Sequence, residues 1–211
     1  MATTVVEICN IALSRIGAKK IQSLDDTSKE AEECNLHYEN ARDATLRDFD
    51  WSFARKRADL AVLTDTFTGW TYAYQLPSDY IMARKIIDDT GSLTGTSYDI
   101  DTDNYKPVGR VKFEIVSNNA GNRPILLTDK EDAELSYTAR ITDSNAFDPM
   151  FADALSWRLA SEFAISIRGK LDLQLNLLKV YQAVLSMAKA NSAREDNNKT
   201  DDQNPYVRSR G

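Results

Sequence analysis

The sequence predicts an α+β protein: a four-helix bundle of two N-terminal and two C-terminal helices, an inserted antiparallel β-sheet or small barrel, and an extended C-terminal tail. Two periodicities and one change of composition support this prediction. Apolar residues recur every three or four positions at both ends of the chain and alternate in its middle third, and the last stretch is polar. We divide the chain into a discontinuous helical bundle (1–54 and 148–193), a β insertion (55–147) and a C-terminal arm (194–211).

The composition is that of a globular protein and disfavours several functional classes. The chain has 211 residues, a net charge of −6 and a pI near 4.9. Proteins dedicated to DNA binding, and proteins that bind membrane surfaces through polybasic segments, are usually basic. The acidic charge of this chain disfavours both classes. No apolar run approaches the length that spans a bilayer, and the N-terminus lacks the features of a secretion signal. We therefore expect synthesis in the cytoplasm and no membrane partner.

The first helix is marked at both ends. Thr4 is a candidate N-cap and Glu7, three residues later, completes a capping box. Gly17 is placed to stop the helix near Ile16. Its inner stripe is expected to contain Val5, Cys9, Leu13 and Ile16.

The second helix leads into a dense aromatic segment. Ser28 can cap this helix, which we expect to cover 29–48. Phe49, Trp51 and Phe53 then follow within five residues. Burying apolar surface contributes about 25 cal/mol per Å², so three large aromatic side chains favour a core anchor where a helix meets a sheet.

The middle third alternates in the manner of β-strands. Trp70, Tyr72, Tyr74 and Leu76 alternate with other residues, which predicts that these four share one face. Residues 80–87 fit either a strand or a short helix, and 88–109 have the composition of loops and hairpin tips. One face of a later strand is predicted to carry Ala133, Leu135, Tyr137 and Ala139.

The C-terminal part returns to helical periodicity. Asp148 can cap a third helix with Pro149 at its first position, and this helix is apolar nearly all round up to about Arg168. Gly169 separates it from a fourth helix over 171–193. The apolar face of the fourth helix is predicted to contain Leu171, Leu175, Leu178, Val184, Leu185 and Ala188.

Candidate chemical groups in the sequence lack the spacing of known sites. Cys9 and Cys34 lie on helical apolar stripes, which favours buried thiols over a disulfide in a reducing compartment. His37, the sole histidine, fits a surface or packing role. The stretch 99–104 resembles a calcium loop, but Asn104 stands where that loop needs glycine. We therefore expect no enzyme, no catalytic or metal-binding residue and no cofactor.

The basic triplet at 55–57 has two interpretations. It could contact phosphates, but three positive charges in an acidic protein more often face solvent or pair with carboxylates. We therefore expect the second arrangement.

Three segments together resemble a phage family. The stretch 49–61 resembles the Trp-x-Phe-Ala junction of phage head-to-tail adaptor proteins, including the tail tubular protein A group of short-tailed phages. The stretch 70–80 resembles the aromatic strand and Leu-Pro-x-Asp turn that follow in that family. The stretch 163–178, broken at Gly169, is similar to the family's paired C-terminal helices. The resemblance covers almost the whole chain.

The resemblance implies a structural role at the head–tail junction of the virion. The chain would form a homo-oligomeric ring, usually of twelve subunits, below the portal, with its β region towards nozzle or tail proteins. Genomic DNA would pass through the lumen without specific binding. The C-terminal arm would dock on the portal protein through Asn204, Pro205, Tyr206, Val207, Arg208 and Arg210.

Two other functions remain open on the sequence. One is a different tail-completion or virion interaction protein. The other, from a different class, is a small metal-dependent nucleic-acid enzyme, which would need a polar cluster in a pocket. The adaptor function requires self-association or assembly on a portal, whereas a soluble binding module would be a stable monomer.

Overall fold

The computed structural model describes residues 4–87, 96–99, 104–107, 111–118 and 120–196. The predicted α+β class is confirmed, since the described residues contain four α-helices and antiparallel sheets. The helices are α1 (Val5–Arg15), α2 (Lys29–Asp48), α3 (Pro149–Ser166) and α4 (Leu171–Asp196). The strands are β1 (Arg55–Asp59), β2 (Ala61–Leu63), β3 (Tyr72–Gln75), β4 (Tyr80–Ile87), β5 (Thr96–Asp99), β6 (Asn104–Pro107), β7 (Phe113–Ser117), β8 (Pro124–Thr128) and β9 (Glu134–Ala139).

The chain divides into two compact units. The helical unit takes its described residues from Met1–Thr45 and Asp143–Gly211, and the β unit is Leu46–Thr142. The division falls inside α2, so the last turn of this helix and the aromatic segment after it belong with the strands. No helix in the described part of the chain has the length and apolar character needed to cross a membrane.

Helix α1 begins and ends at the predicted residues. The Thr4 hydroxyl accepts a hydrogen bond from the Glu7 amide at 3.2 Å, and the Glu7 carboxylate accepts one from the Thr4 amide at 2.8 Å. Gly17 follows the helix with φ of +68°, a conformation that favours glycine. Arg168 donates to the carbonyl of Ile16 at 2.9 Å and also to that of Gly17. An arginine near α3 therefore satisfies carbonyls that end α1.

Helix α3 packs against both α1 and α4. Asp148 caps it as predicted, accepting a hydrogen bond from the Met150 amide at 2.7 Å, with Pro149 in the first turn. The Arg15 guanidinium lies 3.7 Å from the centre of the Trp157 ring and pairs with Asp153. This cation–π contact adds an electrostatic attraction to the apolar packing of α1 on α3.

The predicted apolar face of α4 is wrong in part. Leu171 and Leu175 are 59% and 49% exposed, whereas the buried face includes Leu177 and Tyr181. Leu185 and Ala188 are buried as predicted. The leucine-rich start of α4 offers apolar residues on several sides, so periodicity alone does not show which side packs on α3.

The β unit contains a three-stranded sheet in the order β1–β9–β4 and a four-stranded sheet in the order β2–β3–β8–β7. All pairs in both sheets are antiparallel, and β5 pairs with β6 in a separate hairpin. Only Leu60 separates β1 from β2 in the chain, so the backbone passes from one sheet to the other at this residue. Residues 80–87 form a strand, which settles the alternative between strand and helix.

One core cluster joins the two sheets. The predicted face of β9 is confirmed, since the cluster contains Ala133, Leu135, Tyr137 and Ala139 together with Tyr74 of β3. The predicted shared face around β3 is wrong at one end. Trp70 packs instead with a second cluster that contains Ala73, Ile125 and Leu127, on the other side of the four-stranded sheet.

We expect Gly17→Ala to destabilise the helical unit because an alanine at positive φ costs about 1–2 kcal/mol. A Cβ at Gly17 would also lie 3.2 Å from the Arg168 guanidinium. Gly169→Ala is the matched control, since Gly169 has φ of +64° and no atom within 4 Å of its Cβ position. Urea denaturation should therefore show a larger loss for Gly17→Ala. Equal losses would mean that the arginine contact contributes nothing.

Candidate functional site

The aromatic segment after α2 forms a packed cluster inside the β unit. Trp51 is 3% exposed, and the Phe49 ring meets it edge to face with ring centres 4.9 Å apart. Phe53 lies on a short 3₁₀ turn, its ring 6.3 Å from that of Trp51, and both phenylalanines are half-buried. The segment 49–53 therefore contributes packing contacts rather than an exposed aromatic surface.

Arg84 of β4 caps the C-terminal end of α2. Its guanidinium donates to the carbonyls of Leu46 (3.4 Å), Arg47 (3.3 Å) and Phe49 (2.7 Å). Its Nε donates to the Thr138 hydroxyl of β9 at 2.7 Å. The last carbonyls of a helix have no partner inside the helix, and a cation is favourable at that end. One side chain thus connects the end of α2 to two strands.

A β-bulge presents Arg84 to the helix end. Between Ala83 and Lys85, β4 has one residue more than its partner strand β9, and the extra residue is Arg84. A second irregularity between Tyr80 and Met82 leaves Ile81 as the extra residue. The Ile81 carbonyl accepts a hydrogen bond from the Arg47 guanidinium at 3.0 Å. Bulges redirect side chains and backbone groups, and here both bulges serve the end of α2.

Asp50 supplies the negative charge beside this cap. Its carboxylate pairs with Arg55 at 3.0 Å and lies 3.7 Å from the Nε of Arg84. Burial lowers the pKa of Arg84, and the charge of Asp50 acts in the opposite direction. The anion therefore offsets part of the cost of partly burying the Arg84 guanidinium.

Asp79 ties together the ends of three strands. Its carboxylate accepts hydrogen bonds from Lys56 Nζ of β1 at 2.7 Å and from the Tyr137 hydroxyl of β9 at 2.9 Å. Its carbonyl accepts one from the Arg140 amide at 2.6 Å. Asp79 directly precedes β4, so these bonds fix the point at which β4 joins β1 and β9.

Burial and hydrogen bonds together shift the pKa values of Asp79 and Tyr137. Burial raises the pKa of Asp79, but the Lys56 and Tyr137 hydrogen bonds and the Lys56 charge together leave it below the ordinary value of 3.8. Burial, followed by the bond to Asp79, raises the pKa of Tyr137 to about 12. Asp79 is thus held as an anion and Tyr137 as a donor at neutral pH.

The basic triplet behaves as predicted. Arg55 pairs with Asp50 and Lys56 with Asp79, and all three basic side chains of the triplet are exposed. His37 lies beside Glu33 at 3.2 Å and meets the Phe163 ring edge to face, which fits the expected packing role. Within the described ranges, His, Cys, Asp and Glu nowhere gather in a group of three that could hold a metal ion.

Two of the predicted features involve residues outside those that the structure describes. The proposed portal-docking residues 204–210 lie outside the described residues. The acidic stretch 99–104 is described only at Asp99, the last residue of β5, and Asn104, the first residue of β6, which pair with each other.

The sequence did not reveal the two polar groups centred on Arg84, at the end of α2, and on Asp79, before β4. Arg84 lies in a strand whose alternation gives no sign of a bulge, so nothing in the sequence marks it as a helix cap. Asp79 stands in the Leu-Pro-x-Asp turn that carries the family resemblance. Its partner Tyr137 is 58 residues away in the chain, so only the fold shows the contact.

No protein-family model matches this chain, and a search of curated proteins finds no match either.

We expect Arg84→Met to lower the free energy of unfolding by about 2–4 kcal/mol, because it leaves helix carbonyls without their charged donor. Arg84→Lys should recover less than half of this loss, since an ammonium group cannot reproduce the planar fork. Urea denaturation measures both values. Lys85→Met, at the adjacent half-buried position of β4, is the control. A loss no greater for Arg84→Met than for this control would contradict the capping role.

We expect Asp79→Asn to cost about 1–2 kcal/mol at neutral pH, where the carboxylate accepts two hydrogen bonds. Because the folded-state pKa lies below 3.8, the contribution of Asp79 is present above that value and is lost as the pH falls through the folded pKa. Urea denaturation from neutral to about pH 3 should show the two proteins converging.

Asp59→Asn, at an exposed carboxylate that ends β1, is the control for charge removal. It should change stability by less than about 0.5 kcal/mol. A constant difference between wild type and Asp79→Asn across the pH range would show that the carboxylate charge is irrelevant.

Proposed function

We propose that this chain is a structural head-to-tail adaptor of a tailed bacteriophage, which forms a ring below the portal, joins capsid to tail and leaves a channel for DNA. The four helices would form one bundle, with bundles of neighbouring subunits side by side. Contacts of α3 with α1 and α4, and of His37 on α2 with Phe163 on α3, support the bundle.

The observation that carries this proposal is the distribution of exposed apolar side chains. Seven of the eight large apolar residues exposed in the described part of the chain lie on the helices, and Val62 of β2 is the other. Contiguous exposed apolar surface commonly marks an interaction site. The helical residues are Ile11, Leu36, Ile165, Leu171, Leu175, Val180 and Met187.

Helix α4 carries exposed apolar residues on two sides. With about 100° between successive residues, Leu171 and Leu175 lie on one side, and Val180 and Met187 lie on another. The buried residues Leu177, Tyr181, Leu185 and Ala188 face the rest of the helical unit. Two different contact surfaces on one subunit suit a head-to-tail arrangement that closes into a ring.

The charge of the protein suits a DNA conduit. A basic lumen would hold phosphates through counterion release, whereas an acidic protein with net charge −6 does not trap the genome. In this proposal the β unit contacts nozzle or tail proteins and the C-terminal arm contacts the portal.

We expect Leu175→Glu to reduce co-sedimentation of the chain with portal rings by about tenfold or more. An unpaired carboxylate buried at an apolar contact costs more than about 1.4 kcal/mol of binding free energy, which corresponds to a tenfold loss of affinity. Val62→Glu makes the same charge change at a residue of the β unit that is 63% exposed, and it should leave ring assembly unchanged. Circular dichroism checks that both variants fold. Equal assembly of the two variants would contradict a helical interface at Leu175.

We expect a chain that ends at Gln203 to keep its melting temperature and lose most of its portal binding. The polar arm contributes little apolar surface to a core, and an arm that orders only at docking gives its binding energy there. Differential scanning fluorimetry and a portal pull-down measure the two effects. Full decoration of portals by the truncated chain would rule out the docking arm.

A further inference from the structure

The outer edge of β7 carries backbone groups that β8 does not bind. Strand β7 lies at the end of the four-stranded sheet, and within the described ranges it pairs only with β8. The Asn118 amide donates to the Arg123 carbonyl at 2.9 Å, so this is a hydrogen-bonded pair, and every second residue before Asn118 also bonds to β8. The residues between them therefore direct their N–H and C=O groups away from β8. These outward residues are Phe113, Ile115 and Ser117.

The other sheet edges have features that discourage pairing with another chain. Strand β1 presents three exposed basic side chains, β4 contains two bulges, and β2 has only three residues. Charged, bulged and very short edges are common means of blocking strand addition. In contrast, five consecutive residues of β7 pair with β8 without a bulge, and its one charged residue, Glu114, accepts a hydrogen bond from the Trp70 indole at 3.0 Å. The edge of β7 is therefore the one best suited to accept a further strand.

Two positively charged side chains mark the ends of this edge. Lys112 directly precedes β7, and Arg123 directly precedes β8 at the hairpin end. Both side chains are exposed, and no carboxylate in the described part of the chain forms an ion pair with either of them. Arg123 also lines an open surface pocket of about 370 Å³ together with Ile115, Val116 and Pro124. The edge thus offers a partly apolar pocket and two cations beside its outward backbone groups.

We propose that the outer edge of β7 binds an extended segment of another protein, which adds a fifth strand to the four-stranded sheet. The backbone of the segment pairs with the outward N–H and C=O groups, which are the source of affinity in strand addition. The span from residue 112 to residue 118 is about 20 Å, so about seven residues of the segment follow the edge. Carboxylates at its two ends pair with Lys112 and Arg123, and apolar side chains between them contact the pocket.

The charges at the edge favour another protein over a second copy of β7 or the C-terminal arm. Each copy of β7 would bring one carboxylate, Glu114, which Trp70 already binds, to meet two cations. The arm 194–211 has carboxylates, but Tyr206 and Val207 are its only large apolar residues. In the proposed adaptor the partner is a nozzle or tail protein at the β unit, and only this identification rests on the proposed function.

The test uses the purified full chain and a synthetic peptide in which three valines alternate with two threonines between terminal glutamates. Amide hydrogen exchange is followed by NMR with and without millimolar peptide. In the free chain the three outward amides of β7 should exchange rapidly, whereas β8 protects those of Glu114 and Val116. Bound peptide should slow exchange at the outward amides by about tenfold or more.

Ser117→Pro is the blocking variant. Ser117 is exposed and its amide faces outward, so proline removes a donor for the added strand without removing a bond to β8. Ser117→Ala keeps the amide and is the matched control. The peptide should lose about tenfold or more in affinity for Ser117→Pro and bind Ser117→Ala as it binds wild type. Thermal melting checks that both variants fold.

A charge reversal tests the two cations separately from the backbone. The double variant Lys112→Glu, Arg123→Glu should bind the peptide about tenfold or more weakly and should prefer a peptide with lysines in place of the terminal glutamates. An unchanged preference for the acidic peptide would overturn the assignment of an acidic partner.

Three results of the exchange experiment would overturn the docking site. Outward amides that are already protected in the dilute free chain would show that another part of the same chain covers the edge. Protection that appears only as the protein concentration rises would show that a second copy covers it. Exchange that millimolar peptide does not change would show that the edge accepts no strand. None of these measurements involves the portal, so the docking site and the proposed function can fail independently.

Discussion

The end of α2 depends on a single guanidinium. Arg84 donates to three carbonyls at or after the last turn of this helix and to Thr138 on the central strand of the three-stranded sheet. Without it, the segment that carries Phe49, Trp51 and Phe53 would leave the helix with unsatisfied carbonyls. The aromatic side chains pack this segment into the β unit, and Arg84 supplies the hydrogen-bond donor for the carbonyls at its start.

A second helix ends in a similar way. Helix α1 ends at Arg15, and Arg168 donates to the carbonyls of Ile16 and Gly17 just after it. In each unit the end of a helix is thus capped by an arginine from a later part of the chain. Arginine suits this task because its planar fork can reach several acceptors at once and stays charged when partly buried. Both contacts join residues distant in the sequence, so they form only when each unit folds.

Local signals in the sequence predicted the features that depend on neighbouring residues. The capping box at Thr4 and the Asp148–Pro149 start of α3 follow from side chains within three positions. The buried face of β9 follows from the strict alternation of the apolar residues at 133, 135, 137 and 139 with their neighbours. The packing side of α4 and the position of Trp70 could not be predicted, because several sides of those segments are apolar and the partner surface decides. Arg84 and the Asp79–Tyr137 bond require the register of β4 against β9, including its bulges.

The proposed adaptor function joins these observations. In this proposal, the apolar side chains exposed on the helices would provide the surfaces that contact neighbouring subunits. The most direct measurement is native mass spectrometry of portal rings before and after mixing with the purified chain. The proposal predicts that the portal mass rises by a fixed multiple of the 23.7 kDa chain. A portal whose mass is unchanged, beside a chain that stays monomeric, would contradict it.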